Sequence, residues 1–272
     1  MIEILLPVYN GEKYLKEQIE SFFNQTNQDW FLKIRNDGSK DGSHEIIKEY
    51  CDHYPDKIVE IDSPSENVGL VQSLNYLIEA TPHGDYIMFS DQDDVWLPDK
   101  IELSLNAVQK LECQNIDKPV MVCTDVTCVD ADLNVMCKSF FESQRFPNDI
   151  FSDINQMIAL NVIQGCTIII NKSALSHIYP MPLIMSIHDM WIGVQCAYYG
   201  NIAYLHTPTM LYRQHSSNVA GSVNIGLRYY LYRMKKIRHT ISFIQRMKRH
   251  LSFKISIFKI LYYKVKYMFS RI

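Results

Sequence analysis

The sequence lacks the features that mark a disulfide-stabilised, membrane-spanning or unfolded protein. Its seven Cys include no CxxC pair, so they predict free or buried thiols in a reducing compartment and neither a disulfide framework nor a zinc site. Within residues 225–272, no uncharged run approaches the roughly 18–20 residues that span a bilayer. The N-terminus lacks the basic start of a secretory signal. A composition of 47% hydrophobic and 21% charged residues excludes a disordered chain. The 272 residues therefore predict one large α/β domain, or one domain with an appendage.

Acidic residues are absent after Asp189. All 30 of them lie in residues 1–189 together with 13 of the 27 Lys and Arg, which gives this part a net charge of −17. Residues 190–272 carry the other 14 basic residues and a net charge of +14. This separation of negative and positive charge along the chain predicts two different partners. We expect a cation for the acidic part and an anionic surface for the basic part.

The first 130 residues alternate apolar strand-like runs with helix-like periodicity. Strands are predicted over residues 3–8, 30–35, 57–61, 85–90 and 120–126. Because helix-like segments of ten to fifteen residues separate them, they predict βαβ units and a mainly parallel sheet flanked by helices. Ligands of such sheets bind beyond the carboxyl ends of the strands. Further along, strands are predicted over 165–171, 202–205 and 209–212, and a helix over 188–199.

Residues 225–272 have a different character. Apolar residues recur there at steps of three and four, with Lys and Arg between them: Ile237, Ile241, Ile244, Met247, Leu251, Ile255, Phe258 and Tyr262. This pattern predicts a basic amphipathic helix that lies in an anionic membrane interface. The alternative is a helical hairpin packed on the domain or on a second subunit, with its basic face in solvent. No nucleic-acid reader motif accompanies the basic residues, so we expect no nucleic-acid partner.

Asp91, Asp93 and Asp94 come directly after a predicted buried strand. Three carboxylates within four residues repel one another unless a cation or solvent neutralises them. Mn²⁺ and Mg²⁺ prefer such oxygen ligands and leave coordination positions open for phosphate. The cluster therefore predicts a divalent metal site, and a solvated acidic loop is the alternative.

Six motifs, taken in order, resemble a known enzyme family. The sequences LPVYN at 6–10, NDGSKDGS at 36–43, NVG at 67–69 and SDQDD at 90–94 resemble family 2 glycosyltransferases with the GT-A fold. The sequences HDMW at 188–191 and YRQHSSN at 212–218 resemble the rhamnosyltransferase-like branch of bacterial polysaccharide biosynthesis. The resemblance implies a GT-A domain over 1–220, with a nucleotide-binding half at 1–130 and an acceptor-side half at 131–220. The basic helical tail at 225–272 would follow as an extension.

The resemblance implies a nucleotide-diphosphate sugar as donor. Pro7, Val8 and Tyr9 would form the floor under the base, and Asp37 would accept a hydrogen bond from the base or ribose. Asn67 would line the same pocket. Two alternatives stay open, since Asp37 can simply stabilise the Asn-Asp-Gly turn and Asn67 can cap a helix.

The acidic cluster would hold Mn²⁺ or Mg²⁺ against the diphosphate. By the resemblance, Asp93 is a direct ligand and Asp91 contacts the ribose or a metal-bound water, with Gln92 between them in the donor site. His215 is the implied third ligand, and Arg213 is implied to pair with the diphosphate. The alternatives are a structural His and a plain polar surface loop.

Asp189 matches the family's catalytic base, which takes the proton from the acceptor hydroxyl. The family often has Glu before this Asp, whereas this chain has His188. No later carboxylate competes for the role, because Asp189 is the last acid in the chain. The alternative is an acid that only interacts with a helix dipole.

Taken together, these residues imply an inverting, metal-dependent glycosyltransferase of a bacterial cytoplasm, bound peripherally to the cytoplasmic membrane face. It would transfer a sugar from dTDP-rhamnose or a UDP-hexose to a hydroxyl of a lipid-linked glycan of capsule, O-antigen or cell-wall polysaccharide. One alternative is a nucleotidyltransferase, which residues 5–15 disfavour because they form no Gly-rich, basic phosphate loop. The other is a non-catalytic sugar-nucleotide-binding or scaffold subunit of a polysaccharide assembly complex. Whether the chain forms a homodimer is left open.

Overall fold

Strands and helices alternate through most of the chain, as the sequence pattern predicts. The computed structural model describes residues 1–80, 84–185, 188–215 and 237–270. Its strands are β1 (Ile2–Val8), β2 (Trp30–Asn36), β3 (Ile58–Glu60), β4 (Tyr86–Phe89), β5 (Val95–Trp96), β6 (Val120–Val129), β7 (Val135–Cys137), β8 (Ile169–Asn171) and β9 (Asn201–Arg213). Its α-helices are α1 (Leu15–Phe23), α2 (Ser43–His53), α3 (Leu70–Glu79), α4 (Lys100–Cys113), α5 (Phe140–Ser143), α6 (Ile154–Leu160), α7 (Leu175–Ile178), α8 (His188–Tyr199), α9 (Ile237–Lys248) and α10 (Ile257–Ser270).

Within the described residues, nine strands form a single sheet. Their order is β3-β2-β1-β4-β8-β6-β9-β5. The ninth strand, β7, pairs with the carboxyl end of β6. The first four strands of that order run parallel, which confirms the predicted mainly parallel α/β arrangement of the N-terminal part. The register places Leu5 of β1 between Lys33 of β2 and Phe89 of β4. The carboxyl ends of β1, β2 and β4 therefore open onto one edge of the sheet.

The other half of the sheet is mixed. β8 lies antiparallel between β4 and β6, and β9 runs parallel to β6 but antiparallel to β5. The strand predicted over 165–171 is wrong at its start, because Gly165–Thr167 forms a 3₁₀ turn before β8. The two strands predicted over 202–205 and 209–212 are one strand. β9 absorbs Pro208 at a shift of register, where a missing backbone N–H is tolerated.

Side chains of β1 enter two cores, one on each face of the sheet. Ile4 and Leu6 are buried with Phe22 of α1, whereas Leu5 is buried on the opposite face with Leu74 of α3. This is the two-residue alternation of a strand that is covered on both faces. Helices α1, α2 and α4 cover one face, while α3, α6 and α8 cover the other.

The C-terminal helices pack on the second of these faces. Ile244 and Met247 of α9 and Ile260 of α10 are fully buried in the same core as Trp191 of α8. The single amphipathic helix predicted over 225–272 is therefore wrong in its geometry, because residues 249–256 separate two helices and part of the apolar stripe packs on the domain. Residues 216–236, which contain the predicted domain boundary near 220, lie outside the described residues.

Polar contacts attach α10 to the segment around α6. The Tyr263 hydroxyl donates to Asp153 Oδ2 at 3.0 Å, and the Tyr267 hydroxyl donates to the carbonyl oxygen of Gln144 at 2.5 Å. Asp153 in turn accepts a hydrogen bond from the backbone N–H of Asn155 at the start of α6. The inner sides of these helices therefore pack on the domain, as part of the alternative prediction expects, whereas a hairpin contact between the two helices stays a prediction.

We predict that α10 contributes to the stability of the whole domain. Ile260→Ala should lower the free energy of unfolding by about 2–5 kcal/mol, because it removes a fully buried side chain and leaves a cavity. Phe258→Ala on the same helix is the matched control, since Phe258 is 87% exposed and its loss should change stability by about 0.5 kcal/mol or less. Urea unfolding followed by circular dichroism measures both. Equal effects would mean that α10 does not pack through Ile260.

Candidate functional site

The loops that follow β1 and β4 are joined by a side-chain amide. Gln92 Oε1 accepts the backbone N–H of Tyr9 at 2.8 Å, and Gln92 Nε2 donates to the carbonyl oxygen of Tyr9 at 3.0 Å. This two-way pairing holds the end of β1 against the acidic cluster. Pro7 and Val8 lie in β1 just before the pairing, and the Tyr9 side chain is 48% exposed. The roles of these four residues in nucleotide binding stay predictions.

Asp37 attaches the end of β2 to the start of α3. Its carboxylate accepts the backbone N–H groups of Val68 at 2.8 Å and Gly69 at 2.9 Å, and it forms a buried ion pair with Arg35. The carboxylate thus binds the two residues just before α3. The alternative role of Asn67 as the cap of this helix is wrong, because Gly69 occupies the N-cap position. Asn67 is exposed beside the site. Base contacts by Asp37 and Asn67 stay predictions.

Gly38 brings the Asn67 loop close to this corner. Its φ is +74°, and a Cβ there would lie 2.8 Å from the backbone nitrogen of Asn67 and 2.9 Å from the carbonyl oxygen of Ser65. Only glycine combines this left-handed backbone with so close an approach. The Asn-Asp-Gly sequence therefore serves the contact between two loops as well as its own turn.

The three carboxylates of the acidic cluster have different surroundings. Asp93 Oδ2 lies 2.8 Å from His215 Nε2. Asp94 is fully buried, with Oδ1 accepting the backbone N–H of Arg213 at 2.9 Å, and Oδ2 has no hydrogen-bond partner among the described residues. Burial, together with the charges of Asp93 and Asp91, raises the pKa of Asp94 well above its usual value. Burial and the charge of Asp93 raise the pKa of Asp91 to about 7.

These donors fit a hard divalent cation. Asp91, Asp93 and His215 offer oxygen and imidazole nitrogen, which Mn²⁺ accepts. Neighbouring ligands about 2.1 Å from an octahedral cation are about 3.0 Å apart, close to the separation of Asp93 Oδ2 and His215 Nε2. Burial and the repulsion between neighbouring carboxylates disfavour the ionised forms of Asp91 and Asp94, and a bound cation would favour these forms. Asp93 and His215 would therefore hold the metal as a pair. The structure places Asp91 together with Asp94 and Cys166 instead, so its role as a third ligand stays a prediction.

Arg213 is buried, and its guanidinium contacts protein groups on several sides. It donates to the carbonyl oxygens of Asp93 at 2.8 Å and Ala131 at 2.7 Å, and it forms an ion pair with Glu17. The ring of Tyr14 lies 4.4 Å from the guanidinium carbon, a cation–π contact. These contacts give Arg213 a role in holding the acidic cluster in place. The predicted contact of Arg213 with a diphosphate stays a prediction.

Cys166 and Lys100 line the buried side of the acidic cluster. The sulfur of Cys166 and a carboxyl oxygen of each of Asp91 and Asp94 lie within 4.8 Å of one another. Burial raises the pKa of the thiol well above its usual value, so it is protonated and a donor towards the carboxylates. Lys100 is fully buried, donates to Thr209 Oγ1 at 3.3 Å, and has a pKa that burial lowers to about 8. The lysine supplies positive charge beneath the carboxylates.

Asp189 occupies the first turn of α8 in a dry environment. It is 8% exposed and accepts the backbone N–H of Met190 at 2.5 Å. Burial raises its pKa to about 7, and the charge of Asp91 acts in the same direction. The Asn161 side chain, at the end of α6, acts in the opposite direction by hydrogen bonding. A carboxylate with a pKa near neutrality is a stronger base than an exposed one.

His188, which precedes Asp189 in the sequence, is buried as a neutral imidazole ring. Burial lowers its pKa to about 4, and neither ring nitrogen has a hydrogen-bond partner among the described residues. Its ring lies 5.5 Å from that of Phe89 and directly against Gly165, where a Cβ would come within 2.2 Å of Nε2. The His188 ring therefore fills the space between Phe89 and Gly165, and the missing side chain of Gly165 provides the room for it.

Sequence reasoning missed several contributors to the site. Tyr14, Glu17, Lys100 and Asn161 are each far in sequence from the groups they contact, and no local pattern marks them as site residues. Since β8 lies beside β4 in the sheet, the turn that carries Cys166 reaches the acidic cluster.

We predict that Gly165→Ala disrupts the site through a clash with His188. The new methyl group should cost about 1–3 kcal/mol of stability by overpacking, because the His188 ring must move out of its way. The double variant Gly165→Ala/His188→Ala should regain most of the lost stability, since the imidazole no longer occupies the space. Thermal unfolding of Gly165→Ala, His188→Ala and the double variant tests this. Additive losses in the double variant would contradict it.

Comparisons with known proteins agree with this geometry. The sequence model described as glycosyl transferase family 2 matches residues 3–178. An uncharacterized glycosyltransferase of Rickettsia typhi is 32% identical over 173 residues, which are 62% of this chain and 50% of that protein. The dTDP-rhamnosyl transferase RfbG of Shigella flexneri is 28% identical over 254 residues, which are 86% of this chain and 79% of that protein. The chain thus spans about half the length of the first relative and most of the second.

Solved structures share the fold. TarS 1–349 of S. aureus in complex with UDP-GlcNAc has a TM-score of 0.63 at 15% identity, over 99% of this chain and 72% of that one. The mannosyltransferase PcManGT of Pyrobaculum calidifontis, in complex with GDP-Man and Mn²⁺, has a TM-score of 0.59 at 15% identity, over 98% of this chain and 69% of that one. At such identities the likeness concerns the fold alone, while the sequence match carries the family. The chain therefore belongs to glycosyl transferase family 2 and has the GT-A fold.

Proposed function

We propose that the protein is an inverting, metal-dependent glycosyltransferase that moves a sugar from a nucleotide-diphosphate sugar to a hydroxyl of a lipid-linked glycan. One observation carries the proposal. A cluster of carboxylates with an imidazole, suited to a cation and a diphosphate, lies at the same edge of the sheet as the single, water-excluded carboxyl of Asp189. A sugar transfer needs both of these parts, one for the leaving group and one for the incoming hydroxyl.

The donor site is assigned to the ends of β1, β2 and β4. Asp93, His215 and Asp91 would hold Mn²⁺ or Mg²⁺, which when bound neutralises charge on the departing diphosphate. The nucleotide would lie over Pro7, Val8 and Tyr9, with Asp37 and Asn67 at its base and ribose. Gln92 would keep the Tyr9 backbone in position, as its two hydrogen bonds do in the structure. Arg213 would act on the donor chiefly by holding Asp93 and Asp94.

The donor is proposed to be dTDP-rhamnose or a UDP-hexose. RfbG, which matches over most of the chain, is by its name a dTDP-rhamnosyl transferase. TarS was solved with UDP-GlcNAc and PcManGT with GDP-Man, so proteins of this fold accept different nucleotides. Because the relative with the long sequence match carries the thymidine nucleotide in its name, we rank dTDP-rhamnose first.

Asp189 is proposed as the general base. Its carboxylate removes the proton of the acceptor hydroxyl as that oxygen attacks the anomeric carbon, and the bond from this carbon to the diphosphate oxygen breaks in the same step. The proton ends on Asp189, and the electron pair of the broken bond leaves with the nucleotide diphosphate. A single displacement of this kind inverts the configuration at the anomeric carbon. Burial keeps the Asp189 carboxyl desolvated.

The acceptor is proposed to be a glycan of capsule, O-antigen or cell-wall polysaccharide, carried on a lipid at the cytoplasmic membrane face. Two observations support it. The C-terminal part is basic without acids, which suits a membrane with anionic lipids. RfbG, over 86% of this chain, is by its name a transferase of rhamnose, a sugar whose transfer the sequence motifs also indicate.

We predict metal-dependent nucleotide binding that requires Asp93. Calorimetric titration of dTDP and of UDP, each with Mn²⁺ and again with excess EDTA, should give binding of one nucleotide that EDTA abolishes. Asp93→Ala should remove it, because the variant deletes a proposed ligand. Asp56→Ala is the control, as it removes an exposed acid outside the site and should bind like the wild type. Equal affinity of Asp93→Ala and the wild type would exclude Asp93 from the metal site.

We predict that Asp189→Asn abolishes transfer while nucleotide binding is retained. Loss of the base should lower kcat by about 10²-fold or more, whereas the calorimetric affinity for the metal–nucleotide pair should not change. Binding without transfer by the wild type itself, across dTDP-rhamnose and the UDP-hexoses, would instead favour the non-catalytic sugar-nucleotide-binding subunit.

The pH dependence of the wild type should show the same base. Because Asp189 must be deprotonated and its pKa is about 7, kcat/KM should rise as the pH increases through about 7 and then level off. Asp91 titrates in the same range, so nucleotide affinity is measured at each pH to separate donor binding from base titration. An acid limb centred near pH 4 would mean that the base is a solvated carboxylate.

A further inference from the structure

We propose that the outer face of α10 is a docking surface for an anionic lipid bilayer. The surface consists of Phe258, Tyr262 and Val265, whose exposed fractions are 87%, 60% and 44%. The inference rests on the proposed function. It adds to that function by assigning the membrane contact to one face of one helix. It also differs from the prediction made from sequence, in which the whole apolar stripe of the tail faces the membrane.

Helix geometry separates the outer face from the packed one. At 3.6 residues per turn, Phe258, Tyr262 and Val265 point within about 60° of one another. Ile260, Tyr263 and Tyr267 point to the opposite side, where they are buried or hydrogen-bonded to the domain. α10 is therefore apolar on two opposite faces, and only one of them has a partner in the described structure. An exposed row of large apolar side chains of this kind marks an interaction surface.

The charges carried by α9, α10 and the segment between them are of one sign. Residues 237–270 contain eight Lys and Arg and no Asp or Glu. Lys259 and Lys266 are exposed on α10 itself, Lys254 is exposed just before it, and Lys248 and Arg249 are exposed at the end of α9. The ion pair recorded for this group joins Lys259 Nζ to Asp153 Oδ2 at 3.9 Å. Aromatic residues next to a basic rim suit the boundary between anionic headgroups and acyl chains.

Charge also decides between a bilayer and a second copy of the chain. A two-fold contact through the outer face would bring Lys259 and Lys266 of both copies together, while no acid on α9 or α10 stands opposite them. Like charges brought together in this way oppose association. An anionic bilayer, by contrast, attracts each exposed Lys and Arg. No helix in the described ranges of the chain is long and apolar enough to cross a membrane, so the contact we propose lies in the plane of the interface.

The docking surface lies one helix away from the proposed base. The inner face of α10 contacts the start of α6 through Tyr263 and Asp153. α6 is seven residues, or about 10 Å, long, and Asn161 directly after it interacts with the Asp189 carboxyl. A bilayer bound to the outer face would therefore lie about one helix length from the residue that contacts Asp189, the proposed base.

Vesicle binding by the full chain tests the proposal. Co-sedimentation is measured with vesicles of phosphatidylcholine containing phosphatidylglycerol, and with phosphatidylcholine alone. The wild type should bind the anionic vesicles and release them at high salt. Phe258→Ser/Tyr262→Ser should weaken binding by about tenfold or more, because both aromatic rings lose their burial. Lys259→Gln/Lys266→Gln should weaken it by about fivefold per charge. Ile116→Ser, which changes a 75% exposed apolar residue far from α10 in sequence, should bind normally.

Each result bears on the proposal. Equal vesicle binding by the wild type and Phe258→Ser/Tyr262→Ser, or no binding by the wild type, would overturn it. Light scattering of the same samples measures whether the chain forms a dimer through this face. A wild-type dimer that is lost in Phe258→Ser/Tyr262→Ser would assign the face to a second copy of the chain. Nucleotide titration keeps the two proposals separate. A chain that binds vesicles but no nucleotide fails the proposed function alone, and one that binds nucleotide but no vesicles fails this inference alone.

Discussion

Three carboxylates packed into one turn are the constraint on which the rest of the site depends. Asp91, Asp93 and Asp94 are held closer together than their charges favour, and burial makes the repulsion stronger than it would be in water. The protein compensates part of this charge with groups from distant segments. Lys100 lies beneath the cluster, and the backbone and guanidinium of Arg213 bind Asp94 and the Asp93 carbonyl. The remaining charge faces the open edge of the sheet, where a cation and a diphosphate suit it.

This compensation explains why the sheet is mixed at its second half. The Arg213 guanidinium, at the end of β9, reaches the acidic turn because β9 pairs with β5. Strand β5 follows that turn directly. The turn of Cys166 reaches the cluster from its other side because β8 lies next to β4. A fully parallel sheet would need a long crossover to place each of these groups. Antiparallel neighbours bring both to the cluster over a few residues.

Sequence reasoning located the parts of the site that are local and missed those that are not. Strands β1, β2 and β4 were predicted to within two residues at their ends, because each is an apolar run that stops at a polar turn. The motif residues follow those ends, so their common edge could also be predicted. Arg213 and Asp93 are 120 residues apart, and Lys100 and Thr209 are 109 apart. Nothing near Lys100 in sequence distinguishes it from an exposed lysine in the first turn of a helix.

The tail shows the same limit in a different form. Steps of three and four predict a helical stripe, but they do not say what the stripe contacts or where one helix ends and another begins. The break at 249–256 divides the stripe, so that Ile244 and Met247 enter the core while Phe258 and Tyr262 face outward. α10 remains in place because Ile260 is buried on its other side. The packing that refutes a free interfacial helix thus also provides the rigid support that would hold an apolar face at a membrane surface, one helix from Asp189.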